Sequence, residues 1–196
     1  MNFRLIANTT SYVLWVEAGF LLLPLAASVL YGEAWLPFFG TAVLCILLGT
    51  ALHLVPVKKA QMHSRDGFMA VALGWIVLSL VGALPFTLSG EIPIYLDAVF
   101  EMISGFTTTG SSILPNVEAL SRCMLLWRSF SHWLGGMGIL VFMLAIVKME
   151  GGQGIHLLRA ESPGPTVGKM VPRMVDSSKI LYSIYFALTL VQLIFY

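Results

Sequence analysis

Long uncharged stretches separated by short polar ones run the length of the chain. A hydrocarbon layer about 30 Å thick is crossed by roughly 20 helical residues rising 1.5 Å each. Five stretches suit that reading, at residues 12–31, 34–57, 67–88, 125–147 and 180–196. The last is the shortest and barely spans. Between the third and fourth lies YLDAVFEMISGF, residues 95–106, which as a helix is about 18 Å long and too short to cross. It is expected to dip into the membrane and return. The pattern predicts an all-α integral membrane protein with about five transmembrane helices, one re-entrant helix and a loop after it.

Composition agrees: 58% of residues are hydrophobic and 11% charged, against about a quarter charged in an average soluble domain. The lipid bilayer is the expected solvent. Net charge is +1 with no block of like charges, which leaves no phosphate-neutralising surface and excludes nucleic acid as a partner. Cys45 and Cys123 stand far apart without metal-ligand spacing, so neither a zinc site nor a disulfide framework is expected. The opening MNFRLIANTTSY leads into an apolar run too long for a signal-peptide core, without a small-residue cleavage site. The first span is expected to be retained.

Lys and Arg are enriched in short cytoplasmic loops. Lys58, Lys59 and Arg65 follow the second span, and Lys148, Arg159, Lys169 and Arg173 follow the fourth, whereas YGEAW between the first two has no basic residue. The N-terminus is therefore expected in the cytoplasm and the short helix on the outer side, with Arg122 and Arg128 as outer exceptions. The expected organisation is two N-terminal helices (1–57), a cytoplasmic loop (58–66), a helix, pore-helix, helix unit (67–150), a cytoplasmic linker (151–176) and a further helix (177–196).

The stretch that carries chemistry is SGFTTTGSSIL, residues 104–114, which sets hydroxylated residues and glycine at membrane depth after a half-length helix. Non-helical backbone is tolerated there only when buried in protein or lining a water-filled cavity. Thr107, Thr108, Thr109, Gly110 and Ser111 are expected to turn backbone carbonyls inward and replace an ion's hydration shell, as a cation selectivity filter does. Gly110 adds backbone freedom and no obstructing side chain. The C-terminal end of the short helix, partly negative, favours a cation nearby, and Asp97 in its first turn suits the positive end and could cap it. The bland alternative is an ordinary polar external loop.

Other residues have two readings each. Glu101, one turn after Asp97, could support the filter by bonding the loop backbone, or simply be solvated. Glu17 lies within the first span, where a carboxylate is costly. Five residues from the expected start, it is read as snorkelling to the interface. His132 could bind an ion or sense pH, but packing within its helix is the plainer account. Gly135, Gly136 and Gly138 suit close helix contact better than a hinge. Pairing of Arg128 and Arg122 with Glu101, Glu118 or lipid phosphate is preferred to a pore-facing role. Tyr31, Trp35, Tyr95, Trp127 and Trp133 read as interfacial anchors.

AVFEMISGFTTTGSSIL, then RSFSHWLGGMGILVF, then AESPGPTVGKMVPRMVDSSKILYSIYFALTL together resemble the Trk/Ktr/HKT superfamily of potassium transporters, and within it the TrkH/TrkG-type membrane subunits. The resemblance covers nearly the whole chain. It implies four consecutive repeats set with pseudo-fourfold symmetry around one pore, each like the pore module of voltage-gated potassium channels, after two extra helices. This chain would supply the extra pair, the first repeat and the first helix of the second, with the remaining three filter repeats elsewhere in a longer chain or oligomer. The resemblance places the filter at Thr107, Thr108, Thr109, Gly110 and Ser111, with potassium held chiefly by the Thr108 and Thr109 carbonyls. Glycine at position 110 is associated in the family with potassium, serine with sodium. It further implies a homodimer, a cytoplasmic nucleotide-binding regulatory subunit, a bacterial cytoplasmic membrane, potassium as cargo and no cofactor. Two other classes compete. One is a membrane-embedded enzyme using His132, Glu101 and a serine, for which no H-E-x-x-H or G-x-S-x-G motif is present. The other is a non-conducting assembly subunit.

Overall fold

The computed structural model describes residues 3–54, 64–138 and 171–195. The helices of the described residues are α1 (Phe3–Tyr31), α2 (Leu36–His53), α3 (Ser64–Gly82), α4 (Leu84–Ser89), α5 (Tyr95–Phe106), α6 (Arg122–Met137) and α7 (Val171–Ile194), with a 3-10 turn at Val117–Ala119 before α6. Lys58, Lys59, Lys148, Arg159 and Lys169, on which the expected orientation rests, lie outside the described residues.

Three described stretches are long and apolar enough to cross a membrane: Ile6–Tyr31, Leu36–His53 and Asp66–Ser89. The third is not one smooth helix. It breaks at Ala83, because Pro85 in the first turn of α4 has no N–H to continue the α3 ladder. Gly90, left-handed at φ 81°, then ends α4. The expected span at 125–147 is described only to Gly138, whose φ of 70° closes α6. The apolar stretch Ile180–Phe195 takes in the last part of α7 and the residue after it.

Several boundaries differ from expectation for one reason: polar residues continue helices past the apolar stretches that announce them. α1 begins at Phe3 rather than residue 12. α3 begins at Ser64, inside the expected loop, with Asp66 complementing its N-terminal dipole. α7 begins at Val171, inside the expected linker, and Pro172 at its second position lacks only an N–H that has no partner there. α5 has the bounds of the short helix read from sequence.

α1 packs on α2, α3 and α6, and α5 lies between α3 and α6. The first helix is therefore part of the scaffold behind the loop. Leu14 and Leu21 of α1, Phe38 and Cys45 of α2, Leu78 of α3, Phe86 of α4, Met102 of α5 and Trp127 of α6 share one buried cluster. Trp127, read from sequence as an interfacial anchor, is fully buried, and its indole N–H donates to the Gly82 carbonyl at 2.9 Å. That bond satisfies a carbonyl at the end of α3 and contributes about 0.5–1.5 kcal/mol. Tyr31 and Trp35 are exposed. The Tyr95 hydroxyl donates to the Leu80 carbonyl at 2.8 Å, fixing the start of α5 on α3.

Candidate functional site

α5 delivers the loop, and its last turn shapes it. The Thr107 N–H donates to Ile103 O at 2.9 Å and the Thr108 N–H to Gly105 O at 2.9 Å; those of Thr109 and Gly110 share Ser104 O at 3.0 and 3.3 Å. Four successive amides thus fold back onto the end of the helix, satisfying its orphan carbonyls. Among the described residues, the carbonyls of Thr107, Thr108, Thr109 and Gly110 accept no backbone hydrogen bond. Thr108 and Gly110 have positive φ, 56° and 76°. Such a φ is uncommon for any residue with a Cβ and an outlier for a β-branched one. A left-handed residue at every second position lets successive carbonyls face one side instead of alternating as in a strand. Ser111 differs from its neighbours, since its carbonyl accepts the Ser104 hydroxyl at 2.6 Å.

Glu101 ties down the far side of the loop. Its side chain is fully buried; Oε1 accepts the Ser112 hydroxyl and the Ile113 N–H, both at 2.6 Å, and Oε2 accepts Arg128 Nε at 2.8 Å. One carboxylate therefore joins α5, the segment leaving the loop and α6. Among the described residues Asp97 makes no comparable contact: Ile94 is the N-cap of α5 and no side-chain cap bond forms, so Asp97 serves the helix by its charge in the first turn.

Glycine allows α5 and α6 to approach. A Cβ on Gly105 would overlap the Ser131 hydroxyl, and one on Gly135 would collide with the Phe106 backbone, 2.8 Å from its carbonyl carbon. A Cβ on Gly136 would lie 2.6 Å from the Tyr185 hydroxyl of α7. His132 sits within this contact, its Nδ1 2.9 Å from the Arg128 carbonyl of its own helix, which the Nδ1–H tautomer donates to.

The N-terminal end of α6 is held by two carboxylates that local sequence reading missed. Glu33, between α1 and α2, accepts the Arg122 and Cys123 N–H groups at 3.0 and 2.8 Å. Glu91, between α4 and α5, accepts the Ser121 N–H at 2.8 Å and its hydroxyl at 2.6 Å. Arg122 lies over the Tyr31 ring, 4.9 Å from its centroid. Burial pushes the Glu33 pKa up, but hydrogen bonds from the Cys123 side chain and from the Cys123 and Arg122 backbone, with the Arg122 charge, outweigh it and leave the carboxyl below its usual range.

Glu17 corrects an expectation. It does not snorkel: it is fully buried, because α1 starts early enough to place it at the middle of the helix.

The packed helices, their apolar spans and the half-length helix feeding a glycine-bearing loop define a multi-pass, all-α integral membrane protein. Residues 37–196 match the family model described as TrkH, cation transport protein. The chain belongs to that family, which is one of transporters and not of enzymes. It is 37% identical over 97% of its length to the Trk system potassium uptake protein TrkH of Vibrio parahaemolyticus and 37% identical over 96% to that of Escherichia coli. It is 31% identical over 98% of its length to the Trk system potassium uptake protein TrkG of Escherichia coli. The chain spans about 40% of the length of these relatives, 40% for both TrkH proteins and 41% for TrkG.

Proposed function

We propose that this chain is part of a potassium-uptake transporter of a bacterial cytoplasmic membrane, N-terminus inside, and supplies one of four filter segments around a shared pore. One observation carries the reading: the amides of Thr107, Thr108, Thr109 and Gly110 are all turned back onto α5 while their carbonyls accept no backbone bond among the described residues. A partially dehydrated cation is the natural ligand for such a row of oxygens. In this mechanism potassium sheds water at the outer mouth, is held chiefly by the Thr108 and Thr109 carbonyls, and leaves past the partly negative end of α5. Ser111, anchored by Ser104, ends the row, and Glu101 keeps the exit segment from moving. A single such segment encloses nothing, so the remaining three repeats come from the rest of a longer chain or from an oligomer. Homodimer formation and a cytoplasmic nucleotide-binding regulatory subunit belong to the same proposal, on family resemblance.

The test is Gly110→Ser in the full-length transporter. A Cβ at Gly110 meets nothing within 4 Å, but the φ of 76° strains any side chain by roughly 1–2 kcal/mol. The substitution is expected to distort the carbonyl row without a clash and to lower potassium over sodium selectivity in an uptake assay. Selectivity unchanged at normal expression would sink the filter assignment.

A further inference from the structure

Glu17 lies at the midpoint of α1, Phe3–Tyr31, about 21 Å from either end at 1.5 Å per residue. Its side chain has no exposure, and among the described residues neither carboxyl oxygen has a hydrogen-bond partner. Its position is specific. A Cβ built on Gly82 would lie 3.1 Å from Glu17 Oε1, 2.7 Å from Met102 Cε and 3.5 Å from Phe106 Cε2. The carboxyl therefore sits where the end of α3 meets α5, beside the residue that precedes Thr107. The same Gly82 receives the Trp127 indole of α6 at 2.9 Å.

Among the described residues, no group placed beside Glu17 neutralises a negative charge. Around Gly82, α3 and α5 bring Met102 and Phe106 next to it, neither of them ionisable. α2 brings Cys45, a buried thiol that supplies no positive charge. On the other face of α5, Glu101 is already paired with Arg128 of α6. An unpaired carboxylate at membrane depth is costly enough that such a group takes up a proton instead of remaining charged.

We propose that Glu17 is a proton-binding site at the junction of α1, α3 and α5, held as the neutral carboxylic acid. Deprotonation breaks the carboxyl O–H bond, passes the proton to water and leaves a carboxylate that this junction can hold only by parting or admitting water. The junction adjoins Phe106, so the proton and the start of the loop share one packing unit. That last link rests on the uptake reading; the protonation does not.

Infrared spectroscopy of the full-length protein in lipid at neutral pH tests it. A protonated-carboxyl C=O band is expected in the wild type, lost in the near-isosteric Glu17→Gln and retained but shifted in Glu17→Asp. A protonated-carboxyl band identical in wild type and Glu17→Gln, with the carboxylate band reduced instead, overturns the proposal. Should Glu17→Gln fail to accumulate, Glu17→Asp decides alone: a shifted band supports the site and an unshifted one overturns it. The band is read without ion flux, so a protein that shows it but takes up no potassium keeps the proton site and counts against the uptake reading only.

Discussion

Arg128 of α6 reaches Glu101 of α5 at 2.8 Å, with Glu101 fully buried and Arg128 14% exposed. The pair holds two helices together while the other Glu101 oxygen holds Ser112 and Ile113. Removing Arg128 leaves a buried carboxylate without its counter-charge, a loss of about 3–5 kcal/mol. Arg128→Ala is expected to lower the thermal unfolding temperature sharply in detergent. Arg128→Lys should fall between, because an ammonium cannot reproduce the guanidinium geometry. An Arg128→Ala protein as stable as the wild type would mean the pair is ornamental.

Gly105→Ala forces a methyl group against the Ser131 hydroxyl, and overpacking of this kind costs typically 1–3 kcal/mol. Adding Ser131→Ala removes the offending oxygen and leaves the Ser131 Cβ at 3.1 Å. The double variant is expected to regain part of the lost stability. Gly135→Ala meets backbone at Phe106, which no side-chain change relieves, so the same Ser131→Ala should not rescue it. Equal rescue of both would refute the assigned contacts.

Glu33 makes a pH-dependent contribution. Its folded pKa is depressed, so its stabilisation is present above the ordinary carboxylate pKa near 4.3. It fades as pH falls through the lower folded value, because protonation removes the negative charge that strengthens the bonds from the Arg122 and Cys123 N–H groups. Thermal unfolding of wild type and Glu33→Gln should differ at neutral pH and converge in acid. A difference that persists unchanged below both pKa values would contradict the capping role.

The half-length helix was legible because length alone marks it: Tyr95–Phe106 follows a Gly- and Pro-bearing turn and ends at three threonines and a glycine. TTTG drew the filter reading because polar, non-helical backbone expected at membrane depth must be buried in protein or line a water-filled cavity. The break at Ala83 was hidden within an apolar run, although Pro85 was its local cause. Glu17 was misread because the helix start was inferred from where apolar residues begin, whereas backbone hydrogen bonding carries the helix on through polar ones.

Sequence by itself determined the solvent, the helical class and where the half-length helix gives way to a loop, since these follow from hydropathy, residue length and local backbone preference. Only the tertiary structure decided which carboxylates matter and how. Glu33 and Glu91 cap a helix 89 and 30 residues further along the chain, Glu101 finds Arg128, and Glu17 finds no partner among the described residues. A charge is satisfied by what is near it in space, and packing, not spacing along the chain, chooses those neighbours.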